Sequence, residues 1–295
     1  MPQGRIVKTV ADLFYVQAGE RIIPCKARGI FRKTGQTPLA GDRVICSEDA
    51  NGEGRIEEIL PRSNYLDRPA VANIDRLVLI VSTADPAPVP LLIDRMTALA
   101  FDREIQPVLV LNKTDLADAD RLLAIYRTVP MPVLTCCAAT GEGVEALRAT
   151  LSAPGISVLS GNSGVGKSSL LNRVDPALGL ATGAISKKLG RGRHTTRHVE
   201  LFAVGEGYVA DTPGFSSLDM ERTGQWIYKE NLIFAFPEFL PYAGQCRFAD
   251  CHHVGEKGCA VAEAAARGDV SPSRLASYAA LYKEADAIPD WQRKK

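Results

Sequence analysis

Along the chain, apolar and polar positions fall into three textures. From residue 1 to about 64 the apolar positions come in short runs, around 4–10, 12–18, 21–28, 42–48 and 54–59. Turn signals separate them: Ala18-Gly19-Glu20, Gly35-Gln36-Thr37-Pro38, Gly41-Asp42 and Asn51-Gly52. Five short strands in so few residues predict a small β-barrel, with the five-stranded OB type the first candidate and an SH3-like barrel still open. From about 70 to 214 the runs become nearly continuous in Val, Leu and Ile: Arg76–Thr83, Pro107–Leu111, Val133–Cys137, Ile156–Ser160, Val199–Val204 and Tyr208–Ala210. Strands covered on both faces require such runs. Helix-length stretches at 90–102, 116–128 and 143–151 lie between them, which predicts an α/β sheet domain. The remainder, 221–295, reads as helical around a compact group of cysteines and histidines. The expected architecture is therefore a multidomain α/β protein of three parts.

Composition narrows the class. Of 295 residues 46% are apolar and 23% charged, as in an ordinary globular protein. No apolar run approaches the roughly 20 residues that span a bilayer, and no apolar signal core follows the first residues, so a cytoplasmic protein without membrane contact is expected. Seven cysteines do not suggest a disulfide framework, and three of them, Cys246, Cys251 and Cys259, crowd into 14 residues, which suits a metal better. With 35 Lys and Arg against 34 Asp and Glu, the whole molecule makes no electrostatic case for nucleic acid. Two local patches lack intervening acids: Lys26, Arg28, Arg32 and Lys33, and Lys187, Lys188, Arg191, Arg193 and Arg197. Each is either a solvated surface or a polyanion contact.

The sharpest chemistry is Gly161-Asn162-Ser163-Gly164-Val165-Gly166-Lys167-Ser168, which fits G-x-x-x-x-G-K-[ST]. It follows a predicted strand and opens a helix at Ser169, the context that makes this pattern a phosphate-binding loop. Its glycines let backbone N–H groups wrap a β-phosphate, Lys167 neutralises β and γ oxygens, and Ser168 offers a hydroxyl to Mg²⁺. Asn112-Lys113-Thr114-Asp115 ends another strand. A carboxylate at Asp115 accepts two hydrogen bonds from guanine N1–H and the 2-amino group, whereas adenine presents a lone pair there and no 2-amino group. The competing reading makes Asp115 a helix N-cap before Leu116. Cys137-Ala138-Ala139 stands where guanine-binding proteins usually carry Ser-Ala-Lys, with the Ala138 N–H aimed at guanine O6 and the thiol replacing a hydroxyl. Asp211-Thr212-Pro213-Gly214 ends a further strand, where Asp211 holds Mg²⁺ through water and the Gly214 N–H meets the γ-phosphate. Of Thr195 and Thr196, the second is preferred as the switch threonine that caps Mg²⁺.

The order of these pieces is informative. Ordinary small GTPases run phosphate loop, switch threonine, DxxG, NKxD, SAK; here NKxD and its companion come first. The sheet is a circularly permuted one, which places both switch segments just before residues 221–295. Phe215 occupies the position of the water-orienting glutamine, and a phenyl ring cannot orient water. Slow intrinsic turnover is expected, with Lys167, Thr196 and His194 as the catalytic candidates; His194 serves equally well as a phosphate or RNA contact.

Cys246, Cys251 and Cys259 with one imidazole offer a closed tetrahedral Zn²⁺ set, structural rather than catalytic. His252 and His253 both fit the spacing. The barrel ending in Leu66-Asp67-Arg68-Pro69, the permuted motifs, Gly192-Arg193-His194-Thr195-Thr196 and the Cys/His group together resemble the RsgA family of small ribosomal subunit biogenesis GTPases, over about Gly4 to Tyr282. The resemblance implies an OB fold at 1–64, a permuted GTPase domain at 65–220 and a zinc-bearing helical domain at 221–295. It implies one zinc per chain, with His253 as the fourth ligand, and Mg²⁺ accompanying GTP. It also implies a monomer that binds the small ribosomal subunit and its rRNA late in maturation and hydrolyses GTP to GDP faster when bound. A guanine-nucleotide switch with a protein partner is the alternative.

Overall fold

The computed structural model describes residues 1–33, 35–49, 52–179, 198–211 and 227–289, without the side chains of Arg32, Lys33, His198 and Asp211. The first strands are β1 (Gln3–Val10), β2 (Leu13–Ala18), β3 (Arg21–Ala27), β4 (Arg43–Glu48) and β5 (Gly54–Ile59), with a short helix α1 (Gly29–Lys33) after β3. A hairpin of β6 (Tyr65–Asp67) and β7 (Ala70–Ala72) follows. The middle of the chain carries β8 (Arg76–Ser82), α2 (Pro90–Asp102), β9 (Gln106–Asn112), α3 (Asp120–Tyr126), β10 (Val133–Thr135), α4 (Val144–Ser152), β11 (Gly155–Ser160), α5 (Lys167–Val174), β12 (His198–Val204) and β13 (Gly207–Asp211). The last described part holds two 3-10 turns, Leu232–Ala235 and Pro237–Phe239, then α6 (Leu240–Ala243), α7 (Ala260–Arg267) and α8 (Pro272–Asp286). Among the described residues no helix is long and apolar enough to cross a membrane.

The chain packs as two compact units. The first gathers Met1–Val78, Val144–Ser163 and the described residues from Lys167 to Asp211. In it the five leading strands close in the order β1-β2-β3-β5-β4 and back to β1, all antiparallel except the pair β3–β5. The parallel β3–β5 seam is the OB arrangement and removes the SH3-like alternative. Alternate residues fill the interior: Ile6, Phe14, Val16, Ile23, Cys25, Val44, Cys46 and Ile56 are all buried. The barrel leaves no room at Gly54, where a Cβ would sit 2.4 Å from Cys25 Sγ.

β1 is long enough for two partners. Its first residues close the barrel against β4, Gly4 opposite Val44, while its last residues pair antiparallel with β12, Lys8 opposite Glu200. A register irregularity between Ile6 and Lys8 separates the two uses. β12 then pairs antiparallel with β13, and β13 runs parallel to β11, Tyr208 opposite Ile156. The Arg76 guanidinium, at the start of β8, donates to Ser157 Oγ (3.0 Å) and Ala153 O (2.7 Å) on β11 and just before it.

The second unit gathers Leu79–Gly143, Gly164–Gly166 and the described residues from 227 onward. Its strands run β10-β9-β8, with β9 and β10 parallel, Leu109 opposite Val133. The apolar run of β9 is buried throughout, Val108 to Leu111 at 1% exposure or less, whereas Val133 and Leu134 of β10 are half-buried. Two local expectations shift. The helix expected from 116 begins only at Asp120, because Lys113 turns out of β9 with φ 66° and the Leu116 N–H closes a turn on Lys113 O at 2.9 Å. The strand expected to reach Cys137 ends at Thr135, leaving both cysteines of that run in the loop that follows.

α2, α8 and the turn Pro237–Phe239 meet at Arg274, whose side chain is wholly buried. Its guanidinium donates to Asp94 Oδ1 (2.8 Å), Glu238 Oε1 (2.7 Å) and Thr97 Oγ1 (3.1 Å), and lies 4.3 Å from the Phe236 ring centroid. Burial alone would lower the Arg274 pKa, but the two carboxylates outweigh it and the net direction is upward. The arginine stays charged.

Candidate functional site

The loop after β11 takes its shape from three glycines with positive φ, Gly161 (148°), Gly164 (86°) and Gly166 (95°). A side chain at Gly166 is excluded twice, by this backbone and by Asn112 Nδ2, which a Cβ there would approach to 2.4 Å. Lys167 opens α5 and folds back over the loop, donating from Nζ to Gly161 O (2.6 Å) and Asn162 O (3.0 Å). Those carbonyls hold the ammonium over the loop. Val165 is buried and anchors the loop, Ser163 and Gly164 are exposed, and Ser168 and Ser169 in the first turn of α5 are half-buried.

Asn112 is the fully buried hinge of the neighbouring segment. Its Nδ2 donates to Val165 O at 2.7 Å and its Oδ1 accepts from the Ala138 N–H at 3.1 Å. One amide thus joins the end of β9, the glycine loop and the loop after β10. The Ala138 N–H, expected to face guanine O6, is taken up by Asn112 in this arrangement. The Asp115 carboxylate is exposed and caps no helix, since α3 starts five residues later. Instead Cys137 Sγ donates to Asp115 Oδ1 at 3.2 Å and accepts from the Thr140 N–H at 3.4 Å. A thiol is a weak donor, yet it stands where the usual serine hydroxyl would hold the acid. Neighbouring Cys136 is buried, its thiol pushed up to about 11 by burial and by Cys137.

In the last part of the chain Cys246, Cys251, His253 and Cys259 bring their ligand atoms within 4.8 Å of one another. His253 Nδ1 lies 3.4, 3.6 and 3.4 Å from the sulfurs of Cys246, Cys251 and Cys259. A tetrahedron with ordinary Zn–S and Zn–N lengths has S···N edges of about 3.6 Å, so the donor set is sized for such an ion. His253 reaches the cluster through a left-handed backbone, φ 63°. Burial lowers its pKa, which keeps the imidazole neutral and able to donate a lone pair. Burial pushes the Cys251 thiol up to about 12 and raises that of Cys259 as well, so a cation that binds there displaces their protons. His252 points away and stacks on Tyr282, ring centroids 5.2 Å apart. The Glu256 carboxylate accepts the N–H groups of His252 (2.9 Å) and Val254 (2.8 Å), which pins the loop carrying His253. Nothing in the sequence spacing singled out that brace.

Other expectations sort less cleanly. His194, Thr195, Thr196, Gly214, Phe215 and the patch Lys187 to Arg197 lie outside the described residues, as does the side chain of Asp211. In the first basic patch, Lys26 meets Glu53 at 3.5 Å and Arg28 meets Glu57 at 3.2 Å. Acids distant in sequence therefore share a patch that looked uniformly basic along the chain. A cavity of about 730 Å³ opens beside it, lined among others by Lys26, Arg28, Asp12 and Phe31.

Comparison with known proteins agrees with this geometry. The RsgA GTPase family matches residues 59–221 and the RsgA N-terminal domain matches residues 3–56. The small ribosomal subunit biogenesis GTPase RsgA of Geobacillus thermodenitrificans is 43% identical over 290 residues, 96% of this chain and 97% of the relative. That of Shouchella clausii is 42% identical over 303 residues and covers both chains completely. Among solved structures, YjeQ from Thermotoga maritima superposes with a TM-score of 0.83 at 36% identity, covering 98% of this chain and 99% of the other. YloQ, described as a circularly permuted GTPase, gives 0.79 at 32% identity, covering 98% and 96%. With a closed OB barrel, a permuted sheet and relatives matched end to end, the chain belongs to the RsgA family of circularly permuted GTPases.

Proposed function

We propose that this protein hydrolyses GTP while bound to the small ribosomal subunit and its rRNA, and assists late maturation of that particle in the cytoplasm. The observation that carries the reading is Asn112, which ties the acid-bearing loop to the glycine loop within one unit. The names of the full-length relatives supply the particle. A switch with a protein partner alone is not favoured, because those relatives are named for the subunit.

In this reading Gly161, Asn162, Ser163, Gly164, Val165 and Gly166 surround the β-phosphate with N–H groups, and Ser169 closes the first turn of α5 beneath it. Lys167 exchanges its two carbonyl acceptors for phosphate oxygens and carries positive charge to the bond that breaks. Asn112 and Lys113 flank the base, Asp115 accepts from guanine N1–H and the 2-amino group, Cys137 holds Asp115, and Ala138 turns toward O6. Ser168, Thr196 and Asp211 are assigned to magnesium and Gly214 to the γ-phosphate. Magnesium, when bound with GTP, would supply positive charge that offsets the charge developing on the phosphates. His194 is assigned to completing the site for water. Cys246, Cys251, His253 and Cys259 are assigned to one zinc, which supplies a structural crosslink. The domain limits that go with these roles are 1–64, 65–220 and 221–295. The test is GTP turnover with and without purified small subunits. A clear rate increase is expected, and an unchanged rate at saturating particle rejects the reading.

A further inference from the structure

Two successive carbonyls, Asn112 O and Lys113 O, leave the sheet where Lys113 turns away from β9 at φ 66°. Thr83 meets both, sharing Lys113 O with the Leu116 N–H. The Thr83 N–H donates to Asn112 O at 2.9 Å and the Thr83 hydroxyl donates to Lys113 O at 2.8 Å. Thr83 directly follows β8, and the turn after it is itself braced: buried Ser82 donates from Oγ to Asp85 O at 2.9 Å and accepts the Ala84 N–H at 3.2 Å. Lys113 Nζ completes the ring by donating to the same Asp85 carbonyl. A non-glycine residue in the left-handed region costs on the order of 1 kcal/mol, so the conformation of Lys113 persists because its neighbours over-determine it.

We infer that Thr83 is a positioning residue for guanine recognition, acting through the Lys113 carbonyl on the orientation of Asp115. The inference rests on the guanine reading proposed above and deepens it. The orientation of the Lys113 carbonyl sets the peptide plane that leads through Thr114 to Asp115. Beyond it, the side chain of Asp115 is held by the Cys137 thiol at 3.2 Å, a weak donor. Without the Thr83 hydroxyl, the Lys113 carbonyl keeps only the Leu116 N–H, and the carboxylate is held less firmly in register against the base. The effect falls on the 2-amino contact, because a single N1–H bond can follow one carboxylate oxygen, whereas keeping the 2-amino bond beside it requires both oxygens to be aimed.

Inosine nucleotides lack the 2-amino group, so the ratio of GDP to IDP affinity reads Asp115 directly. Thr83→Val keeps the size of the side chain and its backbone N–H and removes only the hydroxyl. It is expected to narrow the GDP:IDP ratio by roughly threefold to tenfold, the range of one neutral hydrogen bond, and Thr83→Ser is expected to restore it. If Thr83→Val does not fold, Thr83→Ala is read in the same way. Equal weakening of GDP and IDP, or no change in either, overturns the inference. Asp115→Asn separates the two layers. If that variant keeps the wild-type ratio, the guanine reading itself fails. If it collapses the ratio while Thr83→Val preserves it, only the role of Thr83 fails.

Discussion

At the scale of single residues, the segment proposed to read the base depends on groups with narrow tolerances. Asp115→Asn is expected to weaken GTP binding sharply and to favour xanthine nucleotides, whose 2-oxo group needs a donor where guanine needs an acceptor. A nucleotide titration with GTP and XTP checks it, and unchanged GTP affinity removes the role. Cys137 permits a finer test. Serine restores a stronger donor at nearly the same place, so Cys137→Ser should retain or tighten guanine-nucleotide affinity, while Cys137→Ala should weaken it a few-fold as Asp115 loses its anchor. Gly166→Ala is the severe case, since the new Cβ would need the space of Asn112 Nδ2 and a φ of 95°. It should abolish nucleotide binding while the barrel remains folded, seen as loss of a titration signal with retained circular dichroism. Cysteine for serine at 137 was visible in the sequence as a departure; that the thiol takes over the hydroxyl's contact was not, because the loop after β10 had to be seen folding back on Asp115.

At the scale of elements, the second unit is pinned at two points. Arg274 on α8 joins α2 and the turn at Pro237–Phe239 through two buried carboxylates. Arg274→Met leaves Asp94 and Glu238 buried without a counter-charge, and a loss of about 3–5 kcal/mol is expected in denaturant unfolding. Restoring much of that stability by adding Asp94→Asn and Glu238→Gln would show that the cost lies in uncompensated charge. The second point is the Cys/His cluster, which holds the start of α7 to the loop before it. Cys251→Ala is expected to lose the metal and disorder residues near 246–259 while sparing nucleotide binding. Elemental analysis of freshly purified protein should find one zinc per wild-type chain, and finding none would count against the metal. By contrast, the Lys8–Glu200 pair at 3.0 Å is about one-third exposed on both sides, so Lys8→Ala should cost under about 1 kcal/mol. The backbone pairing of β1 with β12, not this ion pair, is what joins those strands.

For the whole molecule, the permutation matters because of what lies next to the switch stretches. The order of motifs points to residues 215–295 as a segment on which a γ-phosphate signal would pull directly. The first unit adds another route, since β12, which follows the stretch 180–197, is annealed to β1 of the barrel, and Tyr208 on β13 donates its hydroxyl to Gln17 on β2 at 2.9 Å. A displacement of β12 itself would reach the barrel through one continuous set of strands. With Phe215 in place of a glutamine, basal turnover is expected at roughly 10⁻⁴ to 10⁻² per second, in the range of unassisted small GTPases and their relatives with a built-in arginine. Small subunits should raise it. His194→Ala should then remove most of the stimulated rate and leave GTP affinity nearly intact. Equal stimulated rates for the two proteins would rule out the histidine and assign the missing group to the particle.

The features legible in the amino-acid order are those whose physics is local. Glycines at fixed offsets impose a loop, alternating apolar residues impose five short strands, and three cysteines within 14 residues impose a metal-sized cluster. Each needs only neighbours along the chain. The features that stayed hidden join distant positions: β1 to β12, Lys26 to Glu53, Arg274 to Asp94, and Thr83 to Lys113. The choice of His253 over His252 belongs with them, since both fit the spacing and only a left-handed turn at 253 aims one ring inward. Strand edges, lone charges and free carbonyls can be satisfied by many partners, and no residue pattern says which one folding will bring near. That choice is made by packing, where a partner is selected because burial leaves no water to take its place.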